Sequence, residues 1–153
     1  MRPSFNQNYK GLRCRVCLLR ENTSDEIVKI ENPTDAYELV KDELVHSDRE
    51  IFLSLLLTIK NHLIGVETVS IGSINASIIK TRDVFKGAIL ANAVSTILCH
   101  NHPSGELTPS HEDIEITKHL IEAGELLGIK VLDHLIISHK GYLSLREYYQ
   151  FPV

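Results

Sequence analysis

The sequence predicts an α/β domain: a mixed sheet sandwiched by helices. Three observations carry that prediction. A near-continuous apolar run at 51–57 and a short buried strand at 94–99 alternate with helix-period segments at 33–44 and 110–127. Runs of that kind suit strands covered on both faces. The run at 51–57 is followed by a turn and a second strand-like stretch, so hairpins interleave with helices and the sheet is mixed. Finally, the chain has 153 residues, 43% of them hydrophobic and 24% charged. That is enough for one domain with its own core, since about 150 residues bury roughly 68–70% of their unfolded surface.

Residues 1–32 read as an N-terminal extension with one strand, at 12–19, ahead of a domain at 33–153. Pro33-Thr34-Asp35 opens the first helix, with Thr34 or Asp35 as cap and Glu38 three residues after Asp35. Ala36, Val40 and Leu44 form its apolar stripe at helical spacing. The strand at 51–57 leads through Lys60-Asn61-His62, a turn, to its hairpin partner at 63–71. A second helix spans 82–92, with Val84, Phe85, Ala88 and Ile89 as its apolar residues, and a short buried strand follows at 94–99. The longest helix covers 110–127, with Ile116, Leu120, Ala123 and Leu127 as its stripe and Gly128 as its stop. Strands at 131–138 and 142–145 complete the order.

Composition narrows the function classes. The formal net charge is −4, whereas dedicated nucleic-acid binders usually carry a basic surplus. No apolar run approaches the roughly 20 residues of a membrane span. The N-terminus, Met1-Arg2-Pro3-Ser4-Phe5-Asn6, is polar, so no signal peptide is expected. The three cysteines make no disulfide framework. Cys14 and Cys17 form a C-x-x-C inside the expected strand, where residues three apart face opposite sides. They are expected to be buried or half-buried thiols, and the compartment a reducing cytoplasm.

The chemistry concentrates between His100 and Asp113. His100 and His102 follow a buried strand, and positions i and i+2 of a strand point the same way. Two imidazoles so placed can share one metal ion. Pro103 ends the strand, and a loop returns the chain to a helix start, where Asp113 sits in the first turn. Two His and one Asp leave a fourth position open, the arrangement of catalytic rather than structural zinc. Ser110-x-x-Asp113 also reads as a capping pair, with Ser110 as N-cap. The two readings are compatible.

The run His100-x-His102-Pro103, six residues, then Ser110-x-x-Asp113 resembles the metalloprotease motif of the JAMM (MPN+) family. The longer string His100-Asn101-His102-Pro103-Ser104-Gly105 with Pro109-Ser110 and Asp113 resembles the RadC-like branch, as do Val69 to Ser73, Arg82 to Lys86 and Leu132-Asp133-His134. The resemblance implies a cytidine-deaminase-like JAB/MPN fold. It implies one zinc ion held by His100, His102 and Asp113, with Ser110 stabilising an oxyanion. It also implies a glutamate general base at the start of the first core strand, which is Glu50 here. Glu67, in the partner strand, competes for that role, since periodicity places neither beside the metal. His134 is either a residue donating to a ligand from behind or a satisfied core histidine, and Asp133 is similar. Asn101 points to the opposite face, and His46, His62, His111, His119 and His139 read as surface residues.

Two functions from different classes follow. One is a zinc-dependent peptidase or isopeptidase acting on a peptide or protein. The other is a RadC-like accessory or binding module of DNA repair. The net charge and the absence, in 1–32, of the paired helices and glycine hairpins of longer RadC-like proteins weigh against DNA. A zinc deaminase would need H-x-E and a downstream P-C-x-x-C; His102 stands where that Glu would be. No membrane partner is expected.

Overall fold

The computed structural model describes residues 16–19, 21, 26–72 and 79–150. The order is α1 (Pro33–Leu44), β1 (Ile51–Leu57), β2 (Leu63–Ile71), α2 (Thr81–Leu90), β3 (Ser95–Asn101), α3 (His111–Leu127), β4 (Lys130–Ser138), β5 (Gly141–Ser144) and α4 (Leu145–Tyr149). The five strands form one mixed sheet in the order β2-β1-β3-β4-β5. Only β3 and β4 run parallel; β1 pairs antiparallel with both β2 and β3, and β4 with β5. The expected α/β architecture is present.

Alternation along the strands divides the core in two. Leu53, Leu55, Leu57, Ile97, Cys99, Leu135 and Ile137 face α1, which answers with Ala36, Val40 and Leu44. Phe52, Leu56, Leu98 and Val131 face the other way, toward Val84, Phe85 and Ala88 of α2 and Ile116 and Leu120 of α3. The central strands β1 and β3 are therefore buried on both faces, which is why β1 reads as a near-continuous apolar run, interrupted only at Ser54, and why β3 buries its polar residues too.

Several expectations are corrected in detail. The cap of α1 is Asn32, not Thr34 or Asp35. Pro33 takes the first helical position, where its missing N–H costs nothing. Asp35 then falls at the third, and it closes a reciprocal box with Asn32. Ile89 and Leu127 turn outward, 53% and 46% exposed. Gly124 lies in the buried seam instead, because a Cβ there would come within 2.5 Å of the Ile129 carbonyl oxygen. The expected strand at 142–145 begins at Gly141, and Leu145 opens the short α4, capped by Ser144. Of the expected strand at 12–19, residues 12–15, with Cys14, lie outside the described residues, as does the polar stretch 1–11. Residues 16–19 are exposed and join no ladder, so Cys17 is an exposed thiol rather than a buried one. Cys99 is buried.

Candidate metal centre

β3 runs two residues beyond its expected end, to Asn101, and parallel pairing with β4 through Ile136 and Ile137 keeps His100 and Asn101 on the ladder. His100 is fully buried. Across the antiparallel ladder it faces Phe52, whose ring stacks on the imidazole with centroids 6.0 Å apart and planes 7° apart. His102 follows, its backbone N–H held by the Ile137 carbonyl at 2.8 Å. The loop beyond folds back so that the Glu106 carbonyl lies 2.8 Å from His102 Nδ1. That loop is tied down by Lys140 on the Glu106 carboxylate at 2.8 Å, and by the close approach of the His139 ring to Gly105. Gly105 has φ +86°, a conformation only glycine adopts cheaply.

Helix α3 delivers the carboxylate. Ser110 is its N-cap, and Asp113 completes the capping box: Ser110 Oγ accepts from the Asp113 N–H at 3.1 Å, and Asp113 Oδ2 accepts from the Ser110 N–H at 2.8 Å. The Ser110 hydroxyl adds a 2.7 Å bond to the same oxygen. The cap thus fixes the carboxylate's direction. Its Oδ1 lies 3.2 Å from His100 Nε2 and its Oδ2 3.3 Å from His102 Nε2, and the two Nε2 atoms are 3.0 Å apart.

This donor set fits one small cation. Tetrahedral zinc with ligand bonds of about 2.0–2.1 Å separates its ligand atoms by about 3.3 Å; the two Nε2 atoms stand 3.0 Å apart, and ligand atoms taken one from each residue all lie within 4.8 Å of one another. A carbonyl only accepts, so His102 must place a hydrogen on Nδ1 toward Glu106, which frees Nε2 to ligate. The electrostatics agree. Burial pushes the Asp113 carboxyl upward, but the adjoining His100 and His102 rings, with the Ser110 hydroxyl, outweigh it and hold the group well below the usual carboxylate range. His102 is raised, chiefly by its bond to Asp113, against its burial and with a smaller contribution from Glu50. Among the described residues, His100, His102 and Asp113 are the one cluster with metal-holding spacing.

Glu50 precedes β1. Phe52 pairs with His100, so continuing that antiparallel register sets Glu50 opposite His102. Residues two apart share a face, so Glu50 and Phe52 point the same way. Glu50, His102, Ser110 and Asp113 line one open cavity of about 620 Å³, with Arg49 and Gly72 on its rim. Glu67 is elsewhere. It is level with Ser54 and, across β1, with Leu98, about 13 Å along β3 from His102 at roughly 3.3 Å per residue. Its carboxylate lies over Gly87 of α2, and burial raises its pKa.

His134 touches His100: its Nε2 is 2.7 Å from His100 Nδ1, and both rings are buried. Asp133 turns away. Its Oδ1 accepts from the backbone N–H groups of His134 and Arg146, and its Oδ2 from the Ser144 hydroxyl, fastening β4 to the start of α4. His111 is on the surface, paired with Glu115. His46, His119 and His139 are also exposed, and His62 is half-buried. Asn101 faces away from the His100 and His102 rings, as expected. Thr117 is the buried polar residue that the motif does not reveal. It lies 2.6 Å from His134 Nδ1. Its one sequence signal is a hydroxyl one helical turn beyond Asp113, beside the apolar stripe.

A model of the RadC-like JAB domain matches residues 30–150. The chain belongs to the RadC-like JAB domain family. The five-stranded mixed sheet flanked by helices is consistent with the JAB/MPN fold, and the His-His-Asp cluster with metal use by JAB domains. Among similar proteins is a UPF0758 protein of Caldanaerobacter subterraneus subsp. tengcongensis, 49% identical over 132 residues, covering 85% of this chain and 57% of the relative. A UPF0758 protein of Desulfitobacterium hafniense is 46% identical over 130 residues, covering 84% and 57%. One of Desulforamulus reducens is 53% identical over 120 residues, covering 78% and 53%. This RadC-like chain therefore spans little more than half the length of these relatives. No helix among its described residues is long and apolar enough to cross a membrane.

Proposed function

We propose that this RadC-like domain is a zinc-dependent peptidase or isopeptidase acting on a peptide or protein. One observation carries the reading. Three side chains with metal-holding spacing, His100, His102 and Asp113, converge beside an open cavity, which His102 and Asp113 line together with an acid, Glu50, and a helix-capping hydroxyl, Ser110.

His100, His102 and Asp113 would hold the ion. Bound there, zinc supplies Lewis acidity and brings the pKa of a coordinated water to about 7. Glu50, opposite His102, takes the proton of the attacking water and returns it to the leaving nitrogen. Ser110 turns its hydroxyl from Asp113 to the substrate carbonyl oxygen as that oxygen gains charge. It does so at the N-terminus of α3, where the helix dipole favours an anion. Burial of His100 behind Phe52 keeps water from the ligand's far side. The reaction belongs in a reducing cytoplasm, where the exposed Cys17 stays a thiol.

The test is hydrolysis of linear and isopeptide-linked substrates by zinc-loaded protein, with Glu50→Gln and Glu67→Gln alongside. Loss of about 100-fold or more is expected for Glu50→Gln, with zinc still bound, and none for Glu67→Gln. Full activity of Glu50→Gln removes Glu50 from the mechanism.

A further inference from the structure

Behind His100 a chain of hydrogen bonds runs away from the cavity and ends on a backbone carbonyl, and that end sets its direction. The Thr117 hydroxyl contacts the Asp113 carbonyl oxygen, one helical turn back along α3, at 2.5 Å. A carbonyl oxygen has no hydrogen to give, so Thr117 donates there. Its hydroxyl hydrogen is then used, and toward His134 Nδ1, 2.6 Å away, Thr117 Oγ1 accepts. His134 therefore carries its ring hydrogen on Nδ1. The other nitrogen, Nε2, is bare and accepts at 2.7 Å from His100 Nδ1–H. His100 is left with an unprotonated Nε2 beside Asp113 and His102. Of the two readings that the sequence leaves open for His134, this reverses the one in which it donates to a ligand.

We propose that Thr117 is a positioning residue for the metal centre. Through His134 it fixes the tautomer of His100, so that a lone pair rather than an N–H faces the ion. The inference rests on the zinc reading above. It concerns where one hydrogen sits within each neutral ring, and no net charge moves. All members are shielded: Thr117 is 1% exposed, His134 1% and His100 0%. Phe52 packs against both rings, its centroid 5.3 Å from His134 and 6.0 Å from His100. Water has little access to replace a missing partner, so the hydroxyl's two bonds have no ready substitute. The geometry of α3 serves both ends, because Asp113 and Thr117, four residues apart, lie on one face.

Removing the hydroxyl while keeping the shape, Thr117→Val, leaves His134 Nδ1–H without an acceptor. The ring then favours its other tautomer, donating from Nε2 to His100 Nδ1, and the hydrogen of His100 shifts to Nε2, against the metal position. Thr117→Ser keeps the oxygen. The experiment has two readouts: ring nitrogen NMR on metal-free protein at a pH where the imidazoles are neutral, and zinc affinity by competition with a chelating dye. Wild type is expected to show His134 and His100 as Nδ1–H tautomers, and Thr117→Val to show His134 as Nε2–H. Zinc affinity is expected to fall about 10–100-fold in Thr117→Val, as when a metal ligand loses its orienting partner, and to return in Thr117→Ser. A wild-type His134 protonated on Nε2 overturns the inference. So does wild-type zinc affinity in Thr117→Val, or a Thr117→Ser variant as weak as Thr117→Val. If Thr117→Val does not fold, the wild-type tautomers and Thr117→Ser still decide. Wild-type protein that binds no zinc defeats the zinc reading instead, while the ring tautomers still test the relay.

Discussion

Asn101 grips the backbone on both sides of Glu50. Its Oδ1 accepts from the Ile51 N–H at 2.6 Å, and its Nδ2 donates to the Arg49 carbonyl at 2.9 Å. The residue between His100 and His102 thus faces away from them, yet pins the segment that carries Glu50. Replacing Asn101 with Ala removes both bonds and strands two polar groups beside the sheet. Stability is expected to fall by about 1–3 kcal/mol, read by urea denaturation. Hydrolysis should fall while zinc stoichiometry holds, because the ligands themselves are untouched. Loss of zinc together with activity would contradict the separate role for Asn101.

Gly124 has a similar claim on space, without chemistry. A Cβ at this position meets the Ile129 carbonyl oxygen at 2.5 Å, and Phe85 and Val131 side-chain atoms at 3.3 Å. The helix propensity gained by Gly124→Ala is about 1 kcal/mol. The backbone contact cannot yield as a side chain would, and overpacking of this kind costs about 1–3 kcal/mol. The net expectation is a lower denaturation midpoint. A midpoint above wild type would show that α3 and β4 separate more easily than this packing implies.

Two histidines make the metal-free protein sensitive to pH in opposite directions. Burial and the neighbouring His100 charge hold His134 well below its ordinary value. As pH falls below about 6.5, the unfolded chain takes up a proton that the folded ring refuses, and stability drops by about 1.4 kcal/mol per pH unit from this group. His102 is raised by its bond to Asp113. Its contribution is complete below about 6.5 and is lost as pH rises through the folded value. Stability from this pair should therefore peak near pH 6.5, as measured by urea midpoints across pH 5.5 to 8. In NMR titration, the His134 ring should not take up a proton between pH 7.5 and 5.5. Titration of that ring near 6.5 would contradict its burial as a neutral group.

Much of this architecture was legible in the sequence because burial writes a pattern. Ile51–Leu57 and Leu63–Ile71 were read at their observed bounds, since one is apolar but for Ser54 and the other is its hairpin mate. The spacing of Ala36, Val40 and Leu44 marked the inner face of α1. What failed was context. Apolar residues at 12–19 look like a strand, but residues 16–19 join no ladder, and propensity alone does not supply a neighbour. Ile89 and Leu127 sit at the last turns of their helices, where the sheet no longer covers them. In the candidate site, strand alternation and the helix cap foreshadowed His100, His102, Ser110 and Asp113. Register, which a single sequence does not display, was needed to set Glu50 opposite His102 and Glu67 beside α2. Thr117 stayed hidden because its partner His134 is on another element, and nothing in the spacing joins them.

The proposed hydrolysis depends on the binding of one zinc ion by His100, His102 and Asp113. That binding is tested most directly by elemental analysis of purified protein after equilibration with zinc and removal of excess. One zinc per chain is predicted for wild type, and none for His100→Ala/His102→Ala under the same conditions. Wild type without zinc, or a double variant that retains as much as wild type, would contradict the account.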